Sequence, residues 1–306
     1  VPGGTEPAVA VVDVPSPHGG IVRAFDTGAP RVGAPVVFWH AGSPHTGEPL
    51  EPLAAAARSR GIRLVTLARA GYGGSTPRPG RDVASVAVDV AAVADALGVD
   101  RFAVLGYSGG GPHALACAAL LPDRVTAVGV LASPAPFGGD DWYLGMHDPR
   151  ALRAAAVSRE ERLRFAETDE FDPAQFIDSD LAALGGEWGA VGRDAGRAES
   201  AGPGGLVDDD VAFTRAWGFD LADVRAPVLL VQGELDRVIP RGHAVRLVAG
   251  MPDARLWMRL DDGHVAVLGV VPEVLDWIVE RADAGAAPAP DSPPTRAVGP
   301  SDAAGA

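Results

Sequence analysis

Ala103-Val-Leu-Gly-Tyr-Ser-Gly-Gly-Gly-Pro-His-Ala-Leu-Ala116 is the stretch whose reading decides the fold. Arg101 to Leu105 reads as a buried strand and Ala114 to Leu121 as an apolar helix, with Gly106-Tyr107-Ser108-Gly109-Gly110 between them. A serine squeezed into a strand-to-helix turn needs small neighbours, because a Cβ beside it would clash as the backbone reverses. Such a turn lifts the hydroxyl to the top of the sheet, at the positive end of a helix. The G-x-S-x-G pattern alone is weak; the strand before it and the helix after it give it meaning.

Around this stretch the chain keeps a regular rhythm. Val9 to Val14 and Ile21 to Asp26 read as an antiparallel hairpin across the loop Pro15 to Gly20. Strand Pro35 to Trp39, helix Pro52 to Arg60, strand Arg63 to Ala68 and helix Val83 to Leu97 follow, then the serine turn and strand Val125 to Leu131. Strands alternating with helices of this length imply βαβ units and a mainly parallel sheet. The rhythm breaks at Ser133 and resumes with strand Pro227 to Gln232, helix Arg241 to Ala249, strand Arg255 to Leu260 and helix Val271 to Arg281. Residues 1–133 and 223–283 therefore read as two parts of one α/β core, and 134–222 as an inserted helical lid. The lid segment holds ten of the eighteen aromatic residues. These either line the space above the serine or glue the insert to the core. Residues 284–306, rich in Ala, Pro, Gly and Ser, read as a disordered tail.

Composition removes several chemistries. All twenty-six basic residues are arginine, and neither lysine nor asparagine occurs. That excludes a Schiff base, a Ser-Lys dyad, a P-loop lysine and a Cys-His-Asn triad. A net charge of −14 speaks against nucleic acid and anionic membranes. No apolar run reaches the roughly eighteen residues of a membrane span. Val1 to Pro7 shows no secretory pattern, and the lone cysteine, Cys117, forms no disulfide framework, so a reducing cytoplasm is the expected setting. The histidines form no H-x-H or H-E-x-x-H arrangement, so neither metal nor cofactor is expected. Nothing in the sequence speaks to oligomeric state.

A serine hydroxyl needs a base within hydrogen-bond reach, and the base needs an orienting carboxylate. On this topology both belong at the C-terminal ends of later strands, in the order serine, acid, histidine. Asp236, in Gln232-Gly-Glu-Leu-Asp-Arg237, and His264, in Leu260-Asp-Asp-Gly-His264, occupy those places. Glu234, Asp261 and Asp262 are fallback acids. The negative oxygen of a tetrahedral intermediate needs donors already aimed at it. The Gly109 N–H is one, and the loop after the Pro35 to Trp39 strand offers Ser43 N–H, with Gly42 as runner-up. Tyr107, Trp142 and His40 are candidates for contact with a small-molecule substrate. His113 is expected to be structural or pocket-facing, and His243 solvated.

With G-Y-S-G-G, the Gly-Glu-Leu-Asp236 loop, the Asp-Gly-His264 ending and Gly-Tyr-Gly-Gly-Ser75, the chain resembles the α/β-hydrolase superfamily over about residues 9 to 283. It looks most like lidded bacterial serine hydrolases: esterases, proline iminopeptidase-like peptidases and haloperoxidase-like enzymes. The resemblance implies a nucleophile at Ser108, acid at Asp236, base at His264 and a lid over the pocket. One departure stands out. The group's usual His-Gly-x-Pro loop reads Ala41-Gly-Ser-Pro44 here, with His40 one place early, which alters the loop's side-chain support. The expected activity is hydrolysis of a carboxylic ester, thioester, lactone or amide. Alternatives are a lyase, dehydratase, cyclase or acyl-transfer step on the same fold, and a ligand-binding receptor.

Overall fold

In the computed structural model, which describes residues 9–286, eight strands form one sheet. They are β1 (Ala10–Pro15), β2 (Ile21–Asp26), β3 (Val36–His40), β4 (Arg63–Leu67), β5 (Phe102–Tyr107), β6 (Val125–Leu131), β7 (Val228–Gly233) and β8 (Ala254–Arg259). The spatial order is β1-β2-β4-β3-β5-β6-β7-β8; β1 and β2 run antiparallel to their neighbours and the remaining pairs are parallel. Helices α1 (Glu51–Ser59), α2 (Val86–Ala96), α3 (Gly111–Leu120), α9 (Gly242–Gly250) and α10 (Val271–Ala286) accompany the sheet. This is the α/β-hydrolase fold, and apart from the end of the last helix, strand and helix ends lie within about three residues of the sequence reading.

The two faces of the sheet bury different sets of side chains. Phe38, Val65, Val104 and Val128 pack with α2 and α3, whereas Val37, Trp39, Leu64 and Leu105 pack with α1 and α10. Successive strand residues point to opposite faces, so a fully apolar run such as Val36–Trp39 feeds both layers at once.

Chain order reverses at β3. The chain crosses from β3 outward to β4, then returns to lay β5 on the other side of β3. Ligands on open α/β sheets bind outside the carboxyl ends of strands at such a switch point. Here those ends are His40 and Gly106, paired across the ladder.

Between β6 and β7 the chain builds α4 (Arg150–Val157), α5 (Arg159–Ala166), α6 (Asp178–Gly185), α7 (Gly189–Ser200) and α8 (Gly204–Phe213). The acidic run Asp208–Asp210 is the buried middle of α8. It tolerates burial because each carboxylate meets arginine: Asp208 with Arg159 at 2.6 Å, Asp210 with Arg162 at 2.7 Å, and Asp209 with Arg69 and Arg81 at 2.6 and 2.5 Å. Half of the insert's ten aromatics are buried and seat it on the core. Trp142, Tyr143, Trp188, Phe213 and Trp217 are buried, while Phe171 and Phe176 line the main cavity.

α10 runs to Ala286, past its expected end at Arg281. The remainder of the expected tail, and the opening residues 1–8, lie outside the described residues. Among the described residues no helix is long and apolar enough to cross a membrane.

Candidate active site

β5 ends in a single helical turn over Ser108–Gly110 that leads straight into α3. The helix begins at Gly111, three residues before the sequence suggested, because Pro112 near its start needs no N–H partner. Ser108 has φ = 50°, in the left-handed region that costs a residue with a Cβ about 1–2 kcal/mol. Its neighbours permit the bend by lacking side chains. A Cβ on Gly106 would stand 2.6 Å from the Gly110 oxygen, and one on Gly110 would run into the His40 carbonyl.

His264, on the loop after β8, places Nε2 3.0 Å from Ser108 Oγ and Nδ1 2.8 Å from Asp236 Oδ2. The Asp236 carboxylate is itself held: Oδ1 accepts the N–H groups of Val238 and Ile239, both at 2.8 Å, and Oδ2 accepts Gln232 Nε2 at 3.2 Å. His264 and Asp236 are both buried, and the imidazole packs on the Tyr107 ring. Two of the fallback acids point elsewhere, Glu234 to Arg241 and Asp262 to Arg259.

The loop Ala41–Pro44 lies beside the elbow. A Cβ on Gly42 would be 3.3 Å from Ser108 Cβ, and one on Gly109 would be 2.5 Å from Ser43 Oγ. Gly42, Ser43, Tyr107, Ser108 and His264 all border a cavity of about 630 Å³, together with Trp39, Leu50 and insert residues including Phe176 and Leu184.

Two residues expected at the substrate are not there. Trp142 is buried in the base of the insert, where Nε1 donates to the Ala135 carbonyl at 2.7 Å and the indole meets the His243 ring edge-on. His40 follows Trp39 on β3; strand alternation turns Trp39 toward the cavity and His40 to the opposite face, beside Cys117. His243 is also not solvated. It is buried, and its Nδ1 accepts the Ala135 N–H at 3.1 Å, so burial depresses its pKa to about 4. His113 is structural: it is buried, its Nε2 lies 3.4 Å from Asp209, and desolvation lowers its pKa to about 4.

Three buried aspartates of the insert had no expected role. Asp180, on α6, accepts the N–H groups of Val265 and Ala266 at 2.7 and 2.8 Å and so holds the turn that carries His264. Asp194, on α7, accepts Thr46 N–H and Oγ at 3.1 and 2.5 Å. Asp209, on α8, accepts Ser43 Oγ at 2.5 Å and Tyr72 OH at 2.9 Å besides its two arginines. An aspartate on the apolar side of a short helix was the available signal, but its partners lie too far off in sequence to be paired by inspection.

Comparison with known proteins agrees with this architecture. The model of the family described as alpha/beta hydrolase fold matches residues 34–269. A 2-hydroxy-6-oxo-6-phenylhexa-2,4-dienoate hydrolase of Burkholderia cepacia is 28% identical over 182 residues, 56% of this chain and 59% of the relative, so the match spans about three fifths of that protein. A 2-hydroxy-6-oxononadienedioate/2-hydroxy-6-oxononatrienedioate hydrolase of Cupriavidus pinatubonensis is 28% identical over 80% of this chain and 84% of its own length. Among solved structures, a thermophilic esterase from Thermogutta terrifontis superposes with a TM-score of 0.69 at 20% identity, covering 89% of this chain and 98% of that one.

Proposed function

Because the chain belongs to the α/β-hydrolase fold family, we propose that it is a serine hydrolase cleaving a carboxylic ester, thioester, lactone or amide through an acyl-enzyme on Ser108. The observation that carries this reading is the continuous row Ser108 Oγ, His264 and Asp236, joined at 3.0 and 2.8 Å. His264 Nε2 takes the hydroxyl proton as Oγ attacks the carbonyl carbon. Asp236 keeps Nδ1 protonated and stabilises the imidazolium that results. The N–H groups of Gly109 and Ser43, with Gly42 beside them, receive the charge on the carbonyl oxygen. Collapse of the intermediate expels the alcohol, thiol or amine, which takes the proton from His264. Water then attacks the ester of Ser108 with the same histidine as base, releasing the acid and the free serine.

The substrate is a small molecule whose apolar portion packs against Trp39, Tyr107 and Phe176, and the insert 134–222 acts as the lid. The acidic, lysine-free chain acts in the cytoplasm. The test is turnover of a panel of nitrophenyl esters of varied chain length, aminoacyl anilides and the dienoate named for the Burkholderia cepacia relative, by wild type and Ser108→Ala. Wild type is expected to turn over part of the panel and the variant to lose about four to six orders of magnitude in kcat. Undiminished turnover by Ser108→Ala overturns the mechanism.

A further inference from the structure

Arg69 follows β4 and is buried to 2% exposure, yet it makes its hydrogen bonds chiefly to one short loop. Nη1 donates to the Ala41 carbonyl at 2.6 Å, and Nη2 donates to the Gly42 carbonyl at 3.3 Å and to Ser43 Oγ at 2.9 Å. Those two carbonyls belong to the peptides whose N–H groups are Gly42 N and Ser43 N. Both peptides are trans, since the cis bond of this loop is Ser43-Pro44. A trans peptide is planar with its C=O and N–H opposed, so fixing the two oxygens on Arg69 turns both N–H groups away from it. A cation on the oxygen also polarises each amide and strengthens it as a donor.

Asp209 holds the arginine in place. Its Oδ2 accepts Arg69 Nη2 at 2.6 Å and Ser43 Oγ at 2.5 Å; its Oδ1 accepts Arg81 Nη2 at 2.5 Å. Burial pushes the Asp209 carboxyl up, but Arg69 and Arg81 outweigh it and hold the group ionised, well below the usual carboxylate range. We propose that Arg69 and Asp209 are positioning residues for the reaction, with the carboxylate from α8 fixing the guanidinium that aims the oxyanion donors of Gly42 and Ser43. This rests on the hydrolase reading above. It also identifies what supports the loop where the usual His-Gly-x-Pro pattern is missing. The lid and the oxyanion loop are then one mechanical unit, because α8 belongs to the insert.

The experiment compares wild type, Arg69→Lys and Ser43→Ala. For each, kcat and KM on a nitrophenyl ester are measured per active site titrated with a fluorophosphonate, together with the inhibition constant of a trifluoromethyl ketone, which forms a tetrahedral adduct. Lysine keeps the charge but cannot span two carbonyls and a carboxylate. Arg69→Lys is expected to lower kcat about 10- to 100-fold with KM within about twofold, and to weaken the ketone by the same factor as kcat/KM. Ser43→Ala keeps the backbone donor and loses the hydroxyl link, and is expected to show the same pattern at roughly 3- to 10-fold. A purely structural role would reduce the titrated fraction and leave these ratios alone. Unchanged kcat per titrated site and unchanged ketone affinity in Arg69→Lys overturn the proposal; if that variant does not fold, the same result in Ser43→Ala overturns it. A wild-type chain that the fluorophosphonate does not label at Ser108 overturns the hydrolase reading, and this proposal falls with it.

Discussion

Ser108 and His264 lie 156 residues apart and meet because both follow strands of one sheet whose carboxyl ends share an edge. Asp209 and Arg69 lie 140 residues apart and meet because a helix of the insert descends onto the loops of the core. In the serine row each group sits on a tight turn and is replaceable without disturbing the sheet below. In the Asp209 cluster two arginines, a tyrosine, a histidine and a serine depend on one carboxylate. A site can thus be assembled by topology while the loops around it are held by buried charge. The first arrangement concentrates consequences in chemistry, and the second adds a large consequence for stability to its effect on the oxyanion loop.

Two substitutions should pull these consequences apart. Ser108→Ala removes the proposed nucleophile and is expected to abolish nearly all turnover, while its urea unfolding midpoint stays close to wild type, since alanine keeps the backbone and the packing of Gly106 and Gly110. Asp209→Asn adds a large loss of stability to the loss of kcat expected when the guanidinium that aims the oxyanion loop is released. It leaves the guanidinium groups of Arg69 and Arg81 buried without their countercharge, and breaking such a pair costs about 3–5 kcal/mol. Urea denaturation should show a loss of that order, with Ser108 still labelled by a fluorophosphonate in whatever fraction remains folded. A small loss would mean that water or Tyr72 compensates the charge and that the comparison is drawn too sharply.

The same contrast governs what could be read in advance. The strand, elbow and helix around Ser108 were legible because the constraints are local: glycines where the backbone nearly touches itself, and apolar runs with the lengths of strands and helices. Asp236 and His264 were legible one step further out, since the fold fixes which strand ends converge. His40 was misjudged by one residue of strand alternation, which sent it to the face opposite Trp39. Trp142 and His243 were misjudged together, because their rings meet edge-on and both hydrogen-bond the backbone of Ala135. Asp180, Asp194 and Asp209 left a signal with no partner to pair it to. A carboxylate on a short helix looks like a solvated face until its partner, some 85 to 148 residues away, is known.

His243 offers a milder probe of the seam between insert and core. Its folded pKa, about 4, lies below the ordinary 6.5 because burial disfavours the charged ring. The unfolded chain therefore binds a proton that the native chain refuses, so this contribution is complete above about pH 6.5 and is lost as pH falls toward 4. Its full size is of order 3 kcal/mol. His113 acts in the same direction, whereas Asp210, raised to about 6 by burial, stabilises the acidic side and loses that contribution as pH rises. His243→Gln keeps an acceptor for the Ala135 N–H without a titrating ring. Between pH 6.5 and 4 the variant should lose less stability than wild type, and parallel pH profiles would show that His243 contributes nothing to the acid limb.

The smallest effect concerns the elbow itself. Ser108 and Ala132 are the non-glycine residues with positive φ among those described, at 50° and 48°, and they follow the adjacent strands β5 and β6. Glycine relieves about 1 kcal/mol of left-handed strain at either place but makes the unfolded chain more flexible, which offsets roughly 0.4–1 kcal/mol. Ser108→Gly and Ala132→Gly should therefore both unfold within about 0.5 kcal/mol of wild type, where glycine at an ordinary buried position would be clearly destabilising. Catalysis should separate them: Ser108→Gly is expected to lose turnover and Ala132→Gly to retain it. If both cost 1 kcal/mol or more in thermal or urea unfolding, the left-handed turns are not strained, and the elbow holds its serine through packing alone.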